Sequence, residues 1–177
     1  MMTNQGKRLF LALGFNRKTQ RQISQYQNQF ATWGSLVSTT NLHQTLAFLG
    51  QLGEEQEQQL RLWCRQISAA GFKQTCDHFG YWRKPQIIYL APGVPPPQLL
   101  SLVTSLHQIT DALGIEREQR PYQPHITLCR KVRQPPELAD LAVDISFHAD
   151  HFALFQSRSD ATGVRYIELE RWPLLSN

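Results

Sequence analysis

Two short stretches of this chain carry the same arrangement of reactive and apolar side chains. Leu42-His43-Gln44-Thr45-Leu46 contains His-x-Thr-Leu, and so does His125-Ile126-Thr127-Leu128 in the second half. Composition alone predicts about 0.05 such tetrapeptides in a chain of this make-up, so a pair needs a cause. If each stretch is a strand, residues i and i+2 share a face, and each strand presents an imidazole and a hydroxyl to one side. Leu42, Leu46 and Phe48 then fall on the opposite face of the first strand, where they would pack against a helix. In the second strand, strict alternation puts Cys129 on the face of His125 and Arg130 on the other; for Arg130 to reach that face, the strand ends or bulges near Leu128, or the long guanidinium reaches around the rim.

Two imidazoles and two hydroxyls around one cleft suit in-line displacement at phosphorus. One neutral histidine takes a proton from water while the other, protonated, gives one to the departing oxygen. Imidazole suits both tasks because its unperturbed pKa, about 6.5, permits either state near neutrality. The hydroxyls of Thr45 and Thr127 can donate to non-bridging oxygens as negative charge accumulates. No carboxylate cluster accompanies the pair, so the chemistry requires no divalent metal and no cofactor. A two-histidine metal site would lack a third and fourth ligand. His148-x-x-His151 sits between Phe147 and Phe152 as an ordinary strand edge would, and His78 and His107 read as structural. A lone histidine on an apolar strand is ordinarily a satisfied structural residue. The doubling, at matching places in the chain, is what favours catalysis.

The surrounding pattern supplies elements to position the motifs. Leu9 to Leu13 reads as an interior strand, and Arg17 to about Thr32 as a helix with the narrow stripe Ile23, Tyr26 and Phe30. Leu42 to Leu49 is the first motif strand. Glu54 to Ala70 is a helix with acidic residues in its first turn and Gly71 as its stop. Strands are expected at Phe72 to Phe79 and Gln86 to Leu90. Ala91 to Pro97, with its prolines, is excluded from helix and central strand and is expected as a crossover between two halves. A helix from Leu99 to Leu113 precedes the second motif strand, which runs to about Val132. The tail adds strands at Phe152 to Gln156 and Tyr166 to Leu169, joined by a turn at Ser159 to Gly163. The order strand, helix, His-x-Thr strand thus occurs twice, a repeat of architecture rather than a solenoid period. Two similar halves facing each other would bring both motifs to one central cleft.

Composition sets the outer bounds. A hydrophobic content of 41% over 177 residues is enough for a sizeable core in one domain of two lobes, 1–177. The net charge of +4 makes an anionic partner plausible, and the cations fall in small clusters, Lys7-Arg8, Arg17-Lys18, Arg83-Lys84 and Arg130-Lys131-x-Arg133. Cys64, Cys76 and Cys129 form no CxxC pair and read as thiols of a reducing cytoplasm. The apolar run Leu9 to Phe15 is too short for a signal peptide's core with its cleavage site, and no stretch is long enough to span a membrane.

The extended motifs resemble those of the two-histidine (2H) phosphoesterase superfamily, and within it the bacterial RNA 2′,3′-cyclic phosphodiesterases, long called 2′-5′ RNA ligases (LigT/ThpR type). The resemblance runs through Lys7 to Leu13, Asn41 to Gly50, Pro121 to Arg130, Phe155 to Ser157, and Gly163 to Leu174. It implies an α+β fold, bilobal, with two pseudo-symmetric halves, antiparallel sheets around a central water-filled groove and helices outside. It also implies metal-independent opening of a 2′,3′-cyclic phosphate at an RNA end, leaving a 2′-phosphate. Carried over residue by residue, His43 is the proton donor, His125 the proton acceptor, and Arg130 a phosphate or nucleotide contact; near-symmetry of the motifs means the sequence by itself cannot assign donor and acceptor. Base stacking is expected from Tyr122, with Phe15 and Trp82 as further aromatic candidates. The expected partners are RNA ends or cyclic nucleotides, acting on a monomer. Two alternatives stay open: reversible 2′-5′ ligation at the same residues, and a non-catalytic RNA- or nucleotide-binding module.

Overall fold

A computed structural model describes residues 6–117 and 119–176. Along the chain come β1 (Lys7–Gly14), α1 (Arg17–Gln27), β2 (Ser35–Leu36), β3 (His43–Leu52), α2 (Glu54–Cys64), β4 (Phe72–Cys76), β5 (His78–Trp82) and β6 (Ile87–Ala91). There follow α3 (Pro97–Ala112), β7 (Ile126–Arg130), β8 (Ile145–Ala149), β9 (His151–Asp160) and β10 (Gly163–Pro173). The fold is α+β, and every named strand pair is antiparallel.

The main sheet has the order β10-β9-β1-β3-β7-β6-β5, with β2 on β7, while β4 and β8 form a separate ribbon. It consists of two arms, β10-β9-β1-β3 and β7-β6-β5, joined between β3 and β7 by the single pair Gln44↔Ile126. Those are the middle residues of the two His-x-Thr motifs. In each arm the motif strand lies beside the strand that opened its repeat, β3 beside β1 and β7 beside β6.

Alternation in β1 puts Leu9, Leu11 and Leu13 into the main core, together with Ile23 of α1, Leu60 and Cys64 of α2, and Leu99, Leu102, Val103 and Leu106 of α3. Phe10 and Ala12 face the other way, against Ala153, Phe155 and Tyr166. The helices therefore cover one face of the sheet and leave the other to the small aromatic cluster. Asn16 starts α1 by accepting the Thr19 amide at 2.9 Å. Glu54, Glu55 and Glu57 occupy the first turn of α2, and Pro97 opens α3.

Several boundaries differ from the sequence expectation. The first helix stops at Gln27, where Asn28–Phe30 tighten into a 3-10 turn that buries Phe30. The second stops at Cys64, and Ala70, expected inside it, instead forms a bridge with Leu175. The single strand expected at Phe72 to Phe79 is cut at Asp77: β4 pairs with β8, β5 pairs with β6, and the Asp77 amide bonds the Ala91 carbonyl at 3.1 Å. The strands thus pass to the second arm before residues 91–97, at β5. The proline-rich segment then leads from β6 to α3, which packs against β3 and α2.

Candidate active site

Both motif strands contain a bulge at the same place. On β3, Thr45 pairs with Ala12 and Ala47 with Leu11, so Leu46 is skipped. On β7, Thr127 pairs with Tyr89 and Cys129 with Ile88, so Leu128 is skipped. The extra residue reverses the side-chain phase of everything after it. Phe48 consequently pairs with Phe10 and lies on the face of His43, 67% exposed, rather than under a helix as alternation predicted. The same reversal buries Cys129 in the core and turns Arg130 to the face of His125. Of the outcomes left open for Arg130, the bulge at Leu128 is the one adopted.

Bulges strand carbonyl groups that need donors. The Leu128 carbonyl accepts the Gln27 side-chain amide of α1 at 2.8 Å and the Val37 amide at 2.9 Å. The Leu46 carbonyl lies close enough to His107 of α3 to favour its protonated ring, and the Thr45 carbonyl accepts the Tyr122 hydroxyl at 2.9 Å. Each helix therefore braces the motif strand of the other repeat. Buried Gln44 and Gln74 exchange amide bonds of 3.3 and 2.7 Å beneath the first motif. On the second strand, β2 comes so close that a Cβ on Gly34 would lie 2.3 Å from the Arg130 carbonyl oxygen. Glycine is required there if Ser35 is to pair with Arg130.

The two imidazoles are held in the same way. His43 Nδ1 lies 2.7 Å from the Asn41 carbonyl, and His125 Nδ1 lies 2.9 Å from the Gln123 carbonyl, in each case two residues back. A carbonyl only accepts, so Nδ1 carries the proton and Nε2 is left for chemistry. His43 Nε2 is 3.0 Å from Thr45 Oγ1, so in the neutral state that hydroxyl donates to it. Asn41 is a clamp: its side chain donates to the Val164 carbonyl at 2.7 Å and accepts the Tyr166 amide at 3.1 Å, tying β10 to the first motif.

Rings enclose both histidines. Phe10 and Tyr166 stand 5.0 and 4.9 Å from His43, centroid to centroid. Trp82 stands 4.5 Å and Tyr89 5.9 Å from His125. Tyr89 in turn lies across Gly80, where a Cβ would come within 2.2 Å of its ring. Desolvation, joined by the positive charges of Arg130 and of a protonated His125, lowers His43 from 6.5 to about 4 despite its bond to Asn41. Desolvation and Arg130 also lower His125. Arg130 thus acts on both imidazoles, and in the free protein both are neutral at pH 7.

His43, Thr45, His125, Thr127 and Arg130 belong to one constellation on the uncovered face. Tyr122 does not join it. Its hydroxyl is buried beside Gln44, on the far side of β3 from Thr45's side chain, so it is a strut under the motif strand and not a stacking ring. Phe15 packs edge-on against Phe147 of β8, 4.9 Å away. Trp82 alone of the three aromatic candidates stands at a motif histidine. The sequence reading missed Asn41, Phe10, Tyr89 and Tyr166. A carbonyl clamp leaves no residue signature, and Tyr166 arrives from a strand remote in sequence. Cys64, Cys76 and Cys129 are free and buried. Among the described residues no three His, Cys, Asp or Glu side chains form a metal-holding group, and no helix is long and apolar enough to cross a membrane.

The chain is similar to known proteins in sequence and fold. The model of the family described as LigT like Phosphoesterase matches residues 13–89 and 91–166, one match for each motif. An RNA 2′,3′-cyclic phosphodiesterase of Escherichia coli is 31% identical over 170 residues, 95% of this chain and 97% of that one. A protein of the same name from Thermotoga maritima is 29% identical over 90% of this chain and 91% of its own. The crystal structure of E. coli LigT complexed with 3′-AMP superimposes with a TM-score of 0.90 at 31% identity, over 96% of this chain and 98% of that one. With both motifs intact on the shared fold, this chain belongs to the LigT-like family of two-histidine phosphoesterases.

Proposed function

We propose that the protein opens 2′,3′-cyclic phosphate ends of RNA to 2′-phosphomonoesters, without a metal, using His43 and His125 as paired acid and base. The observation that carries this reading is the pair of imidazoles pinned through Nδ1 to backbone carbonyls, with one guanidinium, Arg130, acting electrostatically on both. The relatives' shared name supports the substrate class. The structures of E. coli LigT with 3′-AMP and with phosphate support a phosphate-sized anion on this fold.

In the reaction, His125 takes a proton from water as it attacks phosphorus, and His43 protonates the departing 3′ oxygen. His43 must therefore gain a proton when substrate binds. The phosphate's negative charge supplies the reason, since it offsets the field of Arg130 that helps hold the imidazole neutral. Protonation at Nε2 also ends the bond that Thr45 donates there, freeing its hydroxyl, like that of Thr127, for a non-bridging oxygen.

The test is incubation with a 2′,3′-cyclic mononucleotide in EDTA and identification of the phosphate isomer formed. A 2′-phosphate at undiminished rate is expected. A 3′-phosphate would mean a different leaving oxygen and refute the stated roles, and a reaction that stops in EDTA would refute the metal-free mechanism.

A further inference from the structure

Two of the basic clusters, far apart in sequence, meet at the outer end of the β7-β6-β5 arm. The Val132 amide bonds the Gln86 carbonyl at 3.0 Å, and the Tyr81 hydroxyl bonds the Val132 carbonyl at 2.7 Å. These bonds hold the loop 83–86 against the segment 130–133. Arg83, Lys84, Lys131 and Arg133 are all exposed there, and none is ion-paired among the described residues. Lys131 has a left-handed backbone, φ 59°, which ends β7 and turns the chain away after Arg130. The other arm neutralises much of its charge: Glu57 binds Lys7 and Arg61, Glu170 binds Arg61 and Arg65, and Glu168 binds Arg171.

Along both strands the basic residues directly follow residues of the reactive centre. Arg83 follows Trp82, whose ring lies 4.5 Å from His125, and Lys131 follows Arg130. We propose that Arg83, Lys84, Lys131 and Arg133 form a track for the single-stranded RNA that precedes the cyclic phosphate, so that the protein prefers oligonucleotide ends to mononucleotides. This rests on the reaction proposed above. Unpaired cations leading away from the site meet successive phosphates of a flexible strand, with Trp82 as a stacking surface at the start. An acidic protein would account for the charge but not for its place directly after residues of the reactive centre.

The experiment compares kcat/KM on a 2′,3′-cyclic mononucleotide and on a short single-stranded RNA with the same end, for the wild type and for R83Q/K84Q/K131Q/R133Q. At low salt the variant should lose about tenfold on the RNA and nothing on the mononucleotide. Its log–log salt dependence should flatten by about 0.7 for each phosphate that the variant no longer neutralises. Equal rates on the RNA, or equal losses on both substrates, would overturn the proposal. If the wild type turns over neither substrate, the proposed reaction fails but the track is still read by fluorescence anisotropy with a 3′-phosphate-ended RNA. Binding that the variant loses supports the track. Binding that the variant keeps, or equal affinity for polyglutamate, overturns it.

Discussion

In the β3 arm the fifth residue after the motif histidine is Phe48, and in the β7 arm it is Arg130. Both reach the uncovered face through a bulge at the preceding leucine, Leu46 or Leu128, and both strands are braced by a polar side chain from the other repeat's helix. Backbone, bulge, brace and imidazole tether are repeated, while the residue delivered to this position is not. One arm offers an exposed ring and the other a cation. Duplicated scaffolding can thus hold two histidines alike while the side chains around them divide the work.

The histidines themselves should give the largest effects. His43→Ala and His125→Ala are each expected to cut turnover of a cyclic phosphate by about 10³-fold, within the usual range for a positioned acid or base. Circular dichroism should show both variants folded, and full activity in either would end the paired mechanism. The pH profile separates the two. In the free protein His43 lies at about 4 and His125 is lowered from its ordinary value. One of the two must be protonated and the other not, so kcat/KM should fall on both sides of an optimum that lies more acidic than ordinary histidines would give. Bound phosphate raises the donor, so the kcat profile should lie at higher pH. Coincident profiles centred above pH 7 would contradict the depressed pKa values. The same burial affects stability: His43 stays neutral when folded but titrates near 6.5 when unfolded. Its contribution is therefore complete above pH 6.5 and is lost as pH falls through the window toward about 4.

Arg130 and Phe48 come next, and they test the asymmetry directly. Arg130→Gln should reduce kcat/KM by about 10- to 100-fold, the loss expected for one charged contact to an anion. Both histidines should then titrate higher, because the charge that lowers them is gone. Phe48→Ala should leave the pH profile in place and raise KM by about tenfold at most, the lower part of the range for stacking one base. If the two variants moved the same parameter, the arms would not differ in role.

The sequence showed the paired histidines and threonines, because residue type and spacing carry that information. It also showed the apolar run Leu9 to Leu13 as a strand and Leu99 to Leu113 as a helix, because apolar spacing carries that information too. It did not show the bulges. Leu46 and Leu128 are ordinary apolar residues, and only pairing with a neighbouring strand makes each of them surplus. From that one omission followed the misplaced Phe48 and the unresolved side of Arg130. Tyr122 failed for a related reason: a tyrosine next to a motif looks the same in sequence whether its ring faces substrate or its hydroxyl supports a carbonyl. The aromatic surroundings were half hidden, since Tyr166 and Phe10 meet His43 only once β10, β9 and β1 are assembled.

The smallest expected effect bears on what the two arms share. Gln27→Leu removes a donor to the Leu128 carbonyl and one to the Val37 carbonyl, and His107→Leu removes the imidazole beside the Leu46 carbonyl. Gln27→Leu leaves two backbone acceptors short of a donor, and each such loss near the core costs about 1 to 3 kcal/mol. Leu128 keeps the Val37 amide as a second donor, but the Val37 carbonyl also loses the Gln27 amide that donates to it at 2.7 Å, so Gln27→Leu should cost more than His107→Leu in a urea melt. If the braces hold the bulges in register, each variant should also lose a few-fold in kcat with little change in KM. The β7 variant should move the limb of the pH profile that belongs to His125, and the β3 variant the limb that belongs to His43. Equal destabilisation with an untouched kcat would make the braces purely structural, and the repeat would then be a feature of folding rather than of catalysis.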